Sequence, residues 1–337
     1  MSHSRDLSRG ATPAGTTRTD TVHGHQGLQL EEPLLFEIDN PGAIGVDLPE
    51  PGSFTSRLGR IQRGNDIGLP SVSEPEVVRH FPRLSQKNYA IDIGTYPLGS
   101  CTMKHNPRLN EKMVRLPGFA SAHPLQPEST VQGALELIDG VAHWLKELTG
   151  MPAIAMSPGA GAHGELCGVM AIRAALDDRE GGPTTRRRIL VPDSAHGTNP
   201  ATAAMCGFTV HAIPSDARGR VDVAAFAEKL DDDVAGIMIT NPNTCGLFEP
   251  DMIEIARLIH DAGGYFYCDG ANFNAIVGRV RPGDLGIDCM HINLHKTFST
   301  PHGGGGPGAG PVVLSDALAP FAPVPWVVHG TEGFSLV

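Results

Sequence analysis

The sequence predicts an α/β protein whose largely parallel sheet is covered by helices on both faces. Short apolar runs, each typical of a buried strand, alternate with stretches of helical periodicity through the second half of the chain. Repeated strand–helix–strand units favour strands that lie side by side in parallel. The chain has 337 residues, which is enough for one large domain or two smaller ones.

The individual elements follow from these patterns. Strands are predicted at 153–157, 189–192, 208–213, 235–240, 265–268 and 289–293. Helices are predicted between most of them, at 163–177, 200–206, 223–230 and 251–262. A longer helix at 130–149 carries one apolar stripe and stops before Gly150, a residue suited to a helix C-terminus. Ser73 and Glu76 have the spacing of a capping box and predict the start of a short helix.

Composition divides the rest of the chain. Residues 1–27 are rich in small and polar side chains and are predicted to form a disordered tail. Residues 28–129 are predicted to form an N-terminal arm with helices, 130–325 the large domain, and 326–337 a truncated C-terminal end.

Charge, hydropathy and cysteine spacing argue against several classes of function. The net charge of -11 disfavours nucleic acid or an anionic membrane as a partner. No apolar run approaches the ~20 residues that span a bilayer, and the N-terminus lacks the apolar segment of a signal peptide. The six cysteines include no CxxC pair, so no metal site is expected. We therefore expect a cytoplasmic protein with reduced thiols.

Candidate chemical groups follow the predicted strands, where ligands of parallel sheets bind. Lys296 follows the last strand, and a lysine buried there could attack an aldehyde as its neutral amine. Asp269 ends the preceding strand and could pair with a protonated pyridine nitrogen. His196 follows the strand at 189–192 and could stack on a planar cofactor. Alone, each has an ordinary interpretation, as a surface lysine, a helix N-cap and a loop histidine.

Two glycine-rich turns complete the pattern. Residues 157–164 join a strand to a helix through small residues, including Gly159, Ala160 and Gly161, and could leave helix N-terminal amides open to a phosphate. The turn matches neither a Walker loop nor a dinucleotide-binding motif. The run from His302 to Gly308 follows Lys296 and allows close backbone approach, as a plain flexible loop also would. A phosphate turn, a ring, an acid and a lysine together predict a pyridoxal phosphate site.

Longer strings around these residues resemble the P-protein family of the glycine cleavage system, also called glycine dehydrogenase (decarboxylating). The strings are Tyr96 to Lys104, His123 to Glu128, His196 to Ala201, Thr240 to Thr244, Asp269 to Asn272 and Asn293 to Phe298. The resemblance runs from about Glu32 to about Pro325, and the segment from Glu32 to Glu37 resembles the start of subunit 2, the cofactor-carrying half of the two-subunit bacterial form.

The resemblance implies the fold-type I, aspartate aminotransferase-like architecture and roles for single residues. Lys296 would hold pyridoxal 5'-phosphate covalently, Asp269 would partner its pyridine nitrogen, and His196 would stack on its ring. Further cofactor contacts are implied for Gly159, Ala160, Gly161, Asn272 and His295. Tyr96 and His123 would lie near the substrate.

The implied reaction is decarboxylation of glycine and transfer of the aminomethyl group to the lipoyl group of H-protein, with subunit 1 as a sister chain. Two alternatives stay open: a pyridoxal phosphate decarboxylase of another amino acid, and a non-catalytic scaffold or truncated inactive fragment. The family continues into a C-terminal small domain, which we expect to be largely absent here. We therefore expect poor solubility or weak activity from this chain alone.

Overall fold

The computed structural model describes residues 32–50, 52–53, 55–65, 67–88, 90–92, 94, 96–98, 101–300 and 308–337. The tail predicted at 1–27 and the glycine run from His302 up to residue 307 lie outside these described residues. The chain divides into two compact units, Met1–Ala90 and Ile91–Val337. The boundaries that the sequence suggests at 27, 129 and 325 stay predictions.

The described part of the first unit contains helix α1, Glu74–Lys87, and one 3-10 turn, Gly59–Ile61. The predicted capping box opens α1: a carboxylate oxygen of Glu76 accepts hydrogen bonds from the backbone N–H and the hydroxyl of Ser73, both at 2.7 Å. Glu32 joins the start of the described chain to this helix, accepting two hydrogen bonds from the Arg83 guanidinium at 2.5 and 2.7 Å.

The second unit holds the strands and the remaining helices of the described chain. The strands are β1 Tyr96–Leu98, β2 Cys101–Met103, β3 Ala153–Ala155, β4 Arg188–Pro192, β5 Thr209–Ile213, β6 Val234–Thr240, β7 Tyr265–Gly270, β8 Cys289–Ile292, β9 Val312–Leu314, β10 Val327–Gly330 and β11 Gly333–Leu336. The helices are α2 Arg108–Val114, α3 Pro117–Ala120, α4 Gln132–Thr149, α5 Gly161–Glu180, α6 Thr198–Met205, α7 Val223–Ala227, α8 Met252–Asp261 and α9 Leu294–Thr297.

Seven of these strands form one sheet in the order β3-β9-β8-β7-β6-β4-β5. β9 runs antiparallel to both of its neighbours, and the other pairs are parallel. All six strands predicted from the sequence belong to this sheet, so the α/β prediction is confirmed. β9 was not predicted, and neither were the hairpins β1-β2 and β10-β11.

Alternate residues of the central strands enter two different apolar cores, one on each face of the sheet. On β6, Ile237 and Ile239 pack into the core that contains α8, whereas Met238 packs into the core that contains α5. On β7, Phe266 and Tyr267 divide in the same way. Because both faces are covered, the central strands are apolar along most of their length, which is why the runs were visible in the sequence.

Helix α5 approaches the sheet unusually closely through glycines. A Cβ atom on Gly168 would lie 2.9 Å from the Tyr267 ring, and one on Gly164 would lie 2.3 Å from the carbonyl oxygen of Gly310. α4 and α5 both end at glycines in the left-handed region, Gly150 and Gly181, each with φ of 68°. The predicted end of α4 at Gly150 is thus confirmed. The glycine contacts of α5 place the N-terminus of that helix against the strand ends.

The C-terminal residues form the hairpin β10-β11, which packs on α4. The Gln132 side chain accepts from the Phe334 N–H at 2.8 Å and donates to the Phe334 carbonyl at 2.7 Å. Among the described residues, no helix combines the length and hydropathy that crossing a membrane requires.

Candidate cofactor site

A cleft opens where β6, β7 and β8 end, between the N-terminus of α5 and the turn before α6. Its lining residues come from five separated segments of the sequence, at Gly161, Ala162, Glu165, His196, Thr198, Thr240, Thr244, Asp269, Ala271, Asn272, His291, Asn293 and Lys296. Parallel strands carry their carboxyl ends to one edge of a sheet, so this is the edge at which the sequence predicted ligand binding.

The structure brings most of the predicted site residues together. Lys296, Asp269, His196, Asn272 and Gly161 all line the cleft. Their assigned roles toward a cofactor stay predictions, because shared lining establishes proximity and not contact with a ligand.

Other predicted residues lie beside the cleft or away from it. Gly159 and Ala160 come just before the lining residue Gly161, in the turn that leads into α5. His295 is buried and does not line the cleft. Its ring lies so close to the backbone of Gly308 that a Cβ on that residue would be 2.0 Å from the His295 Nδ1. His123 is exposed in the loop before α4. The side chain of Tyr96 lies outside the described part of the chain.

Asp269 is the most buried ionisable group of the predicted set, with 3% of its surface exposed. It stands at the end of β7, where its carboxylate accepts hydrogen bonds from the Ala271 N–H at 2.9 Å and the Asn199 amide at 3.1 Å. The Nε2 of His291, on the neighbouring strand β8, lies 3.4 Å from Oδ1 of Asp269, the oxygen that also accepts from the Ala271 N–H.

These contacts decide the charge of Asp269. Burial disfavours the charged form, but His291, the Ala271 N–H, the Asn199 amide and Lys296 together outweigh burial and hold the pKa of Asp269 below its usual value. Asp269 is therefore a carboxylate at neutral pH. An anion fixed at the base of the cleft suits a positively charged partner.

Burial lowers the pKa of His291, while the Asp269 carboxylate and the hydrogen bond with Asn293 oppose that shift. Its Nε2 faces two acceptors, the Asn293 side-chain oxygen at 3.1 Å and the Asp269 oxygen at 3.4 Å. Nε2 therefore carries the proton, and Nδ1 accepts the hydrogen bond from the Tyr267 hydroxyl at 2.5 Å. This chain of contacts orients His291 and, through it, one oxygen of Asp269.

Lys296 lies in the one-turn helix α9, directly after β8. The turn begins with hydrogen bonds from the Lys296 and Thr297 N–H groups to the Asn293 carbonyl, at 2.9 and 3.1 Å. Lys104 secures it from outside, with its ammonium donating to the His295 carbonyl at 2.5 Å. Lys296 is half-buried and lines the cleft, whereas its neighbour His295 is buried and does not line it.

His196 stands in the turn between β4 and α6, with its ring exposed at the cleft. The Thr198 N–H and hydroxyl both contact its Nδ1, at 3.2 and 2.8 Å. These bonds fix the plane of the ring and make Nδ1 an acceptor, which leaves the proton on Nε2.

The turn before α5 is packed against the chain that follows the glycine run. The Gly310 N–H donates to the Pro158 carbonyl at 3.0 Å, and a Cβ on Gly310 would lie 2.1 Å from the Ala160 carbonyl oxygen. A Cβ on Gly161 would meet the Asn293 amide at 2.0 Å. The first N–H groups of an α-helix have no partner within the helix, and Gly161 and Ala162 of α5 line the cleft.

The cleft also contains functional groups that the sequence did not reveal. Glu165 lies in the second turn of α5, Thr240 ends β6, and His291 is inside β8. One signal was available for Glu165: it falls on the same helical stripe as Gly161 and Gly168, which face the sheet.

Comparisons with known proteins agree with this architecture. The aminotransferase class-V family matches residues 167–318. The chain is 68% identical over 318 residues to "Probable glycine dehydrogenase (decarboxylating) subunit 2" of Caulobacter vibrioides, an alignment that covers 94% of this chain and 60% of that protein. Over the residues that it spans, the chain is similar to this protein at high identity. The protein of the same name from Thermococcus kodakarensis is 53% identical over 310 residues, covering 91% of this chain and 61% of the relative.

A solved structure shares the fold. A crystal structure of glycine decarboxylase (P-protein) of the glycine cleavage system, in inhibitor-bound form, aligns with a TM-score of 0.62 and 23% identity, covering 87% of this chain and 60% of that chain. The architecture is thus that of fold-type I enzymes. The chain spans about 60% of the length of the curated relatives that it matches.

Proposed function

We propose that this chain is the pyridoxal phosphate-binding part of a glycine decarboxylase. In this proposal the cofactor is held covalently by Lys296, and the products are carbon dioxide and an aminomethyl group that passes to the lipoyl group of an H-protein. The observation that supports it best is that Lys296, the Asp269 carboxylate and the fixed ring of His196 line one cleft at the strand ends.

The cleft suits pyridoxal phosphate on chemical grounds. It contains one amine, one carboxylate held in its charged form, and an exposed imidazole. The buried hydroxyl of Thr240 has no hydrogen-bond partner among the described residues, although it lines the cleft beside Asp269. A buried polar atom without a partner is costly, so a ligand that bonds to it is favoured.

The residues of the chain divide the work by their positions. Lys296 would hold the cofactor through its amine. Asp269 would accept a hydrogen bond from the ring nitrogen and keep that nitrogen protonated. When bound, pyridoxal phosphate supplies the electron sink for the pair released as carbon dioxide leaves. His196 covers the ring face and restricts its tilt.

The phosphate site is assigned to the N-terminus of α5. The turn at Gly159, Ala160 and Gly161 presents backbone N–H groups, and the helix dipole favours an anion there. Asn272 is proposed to contact the cofactor as well; its amide donates to the Pro242 carbonyl at 2.9 Å, which fixes its side chain at the cleft. A cofactor contact by His295 requires it to turn from its buried position.

The proposed partners are glycine, a lipoylated H-protein and a sister subunit 1, consistent with the subunit 2 relatives. We also propose a cytoplasmic location. Cys167, Cys206, Cys245, Cys268 and Cys289 are all free thiols, as proteins in a reducing compartment usually have.

The proposal is tested by glycine-dependent release of carbon dioxide. The chain is combined with its sister subunit, lipoylated H-protein and pyridoxal phosphate, and the wild type is compared with Lys296→Ala. The matched control is Lys112→Ala, which removes an exposed lysine of α2. We expect activity in the wild type and the control and none above background in Lys296→Ala.

Two outcomes would contradict the proposal. Release of carbon dioxide from another amino acid in place of glycine would favour a decarboxylase of different specificity. Equal activity of the wild type and Lys296→Ala would favour a scaffold that supports a catalytic partner.

A further inference from the structure

Glu165 is a buried carboxyl group in the cleft that the proposed function does not use. Only 3% of its surface is exposed, and it lies in α5 where that helix meets the sheet. Burying a carboxyl group is costly unless it is neutral or well hydrogen-bonded. Its contacts therefore indicate what it does.

The side chain of Asn199 connects Glu165 to Asp269. The side-chain nitrogen of Asn199, at the start of α6, donates to Oε1 of Glu165 at 2.6 Å and to Oδ2 of Asp269 at 3.1 Å. An amide nitrogen carries two hydrogens, so each carboxyl group receives one. The Asn199 side chain is completely buried, and both hydrogens of its nitrogen are used in these two contacts.

Two carboxyl groups that share one amide nitrogen cannot both be charged at low cost in a buried site. Asp269 has the stronger claim to the charge, because it also faces the Ala271 N–H and His291. For Glu165, burial dominates and raises the pKa to about 7, with the negative charge of Asp269 adding to the rise. Glu165 therefore holds a proton below neutral pH.

The ionisable groups around Glu165 come from three neighbouring elements. They are Asp269 and Tyr267 on β7, His291 on β8, and Lys296 in α9. Helix α6 contributes only the neutral Asn199 and Thr202 to the contact, and β9 carries no ionisable residue. Tyr267 is neutral, because burial raises its pKa well above its usual value.

We propose that Glu165 is a positioning residue for Asp269: its protonated carboxyl holds the Asn199 amide in place, and that amide holds the Asp269 carboxylate toward the cofactor ring. The inference rests on the proposed function of Asp269. It assigns Glu165 no contact with the reacting atoms.

Loss of the Glu165 proton then changes the electrostatic environment of Asp269. Above about pH 7 a second negative charge stands on the same amide, so the cofactor ring senses the titration of Glu165. Glu165→Gln keeps the acceptor oxygen for Asn199 and removes the titration. Glu165→Ala removes both, and leaves the Asn199 amide free to turn from Asp269.

The first test is made on the chain without cofactor. Infrared spectra are recorded from about pH 6 to about pH 9, and the band of Glu165 is identified from the difference between the wild type and Glu165→Gln. We expect the C=O band of a protonated carboxylic acid at low pH, lost with a midpoint near 7 and absent from Glu165→Gln. Persistence of the band in Glu165→Gln would overturn the assignment.

The second test uses pyridoxal phosphate absorbance. We expect a spectral step near pH 7 in the wild type that Glu165→Gln lacks. We also expect the Kd for pyridoxal phosphate to be about tenfold higher in Glu165→Ala, the effect of one weakened charge-assisted hydrogen bond. Glu165→Gln is expected to restore the wild-type Kd. The matched control is Glu249→Gln, a buried glutamate bonded to Asn243 at 2.8 Å and outside the cleft lining.

The two tests separate this inference from the proposed function. A wild type that binds no pyridoxal phosphate contradicts the function, while the infrared band still reports on Glu165. Normal cofactor binding with the same spectral step in the wild type and Glu165→Gln, or with an unchanged Kd in Glu165→Ala, overturns the positioning role alone.

Discussion

Replacing Asp269 with asparagine separates the cofactor role of this residue from its structural one. The wild-type carboxylate accepts hydrogen bonds from the Ala271 N–H and the Asn199 amide, at 2.9 and 3.1 Å. Asparagine offers one acceptor oxygen and one NH2 group, so one buried donor then faces another donor. We expect the free energy of unfolding to fall by about 1–3 kcal/mol, the cost of an unsatisfied buried polar group.

The effect on the cofactor is larger than this structural cost explains. In the proposed site, Asp269→Asn would lose a charge-assisted hydrogen bond to the ring nitrogen, which would contribute about 1.5–3 kcal/mol. The Kd for pyridoxal phosphate is therefore expected to rise by about 10- to 100-fold. Decarboxylation falls further, because a ring without its anionic partner is a weaker electron sink.

The matched control is Asp288→Asn, a buried aspartate just before β8 and far from the strand ends that form the cleft. Asp288 accepts from the Phe266 N–H at 2.7 Å and contacts His260 at 2.8 Å, so its replacement disturbs a similar network. Urea unfolding and absorbance titration with pyridoxal phosphate are measured on both variants. The reasoning is refuted if Asp269→Asn binds the cofactor as the wild type does, or if Asp288→Asn weakens binding equally.

Further predictions concern the α5 turn and one ion pair. Gly161→Ala places a Cβ at 2.0 Å from the Asn293 amide and should weaken pyridoxal phosphate binding in absorbance titration. Gly133→Ala in α4 is the control, because its Cβ meets nothing within 4 Å, and it should raise the free energy of unfolding by about 0.5–1 kcal/mol. Normal cofactor binding by Gly161→Ala would contradict the packing. The hydrogen bond with Asp288 raises the pKa of His260, so its stabilisation is complete below the unfolded pKa of about 6.5 and is lost as pH rises through the raised folded value. His260→Gln should thus cost up to about 1 kcal/mol at about pH 5.5 and less at about pH 8.5 in urea unfolding, and the reverse order would contradict the pairing.

The sheet was predictable because its physical cause is local. Each central strand is buried on both faces, so most of its length is apolar, and strand–helix alternation then implies parallel pairing. β9 escaped prediction because it is three residues long, runs antiparallel and inserts between β3 and β8, a long-range pairing that no local pattern encodes.

The site was predictable in part for a similar reason. Lys296, Asp269 and His196 were found because polar residues that follow apolar strands stand out. His291 lies inside the apolar strand β8, where the sequence suggests only core. Glu165 lies in α5, a helix buried on several sides and without a clear polar face to set the residue apart.

Side-chain direction was the other missing quantity. His295 and Lys296 are adjacent and equally placed after β8, yet only Lys296 lines the cleft. A one-turn helix separates neighbouring side chains by about 100° around its axis, and packing against Gly308 fixes which of them turns inward. That contact is set by the tertiary structure and not by the local sequence.

The central claim is that Lys296 carries the cofactor, and borohydride reduction followed by peptide mass mapping tests it most directly. The chain is loaded with pyridoxal phosphate, reduced and digested, with and without the co-expressed sister subunit. Lys104, whose ammonium bonds to the His295 carbonyl, is the internal control because it is the neighbouring lysine. The account predicts one pyridoxyl group on Lys296 and none on Lys104; an unlabelled Lys296, or label only on another lysine, would contradict it.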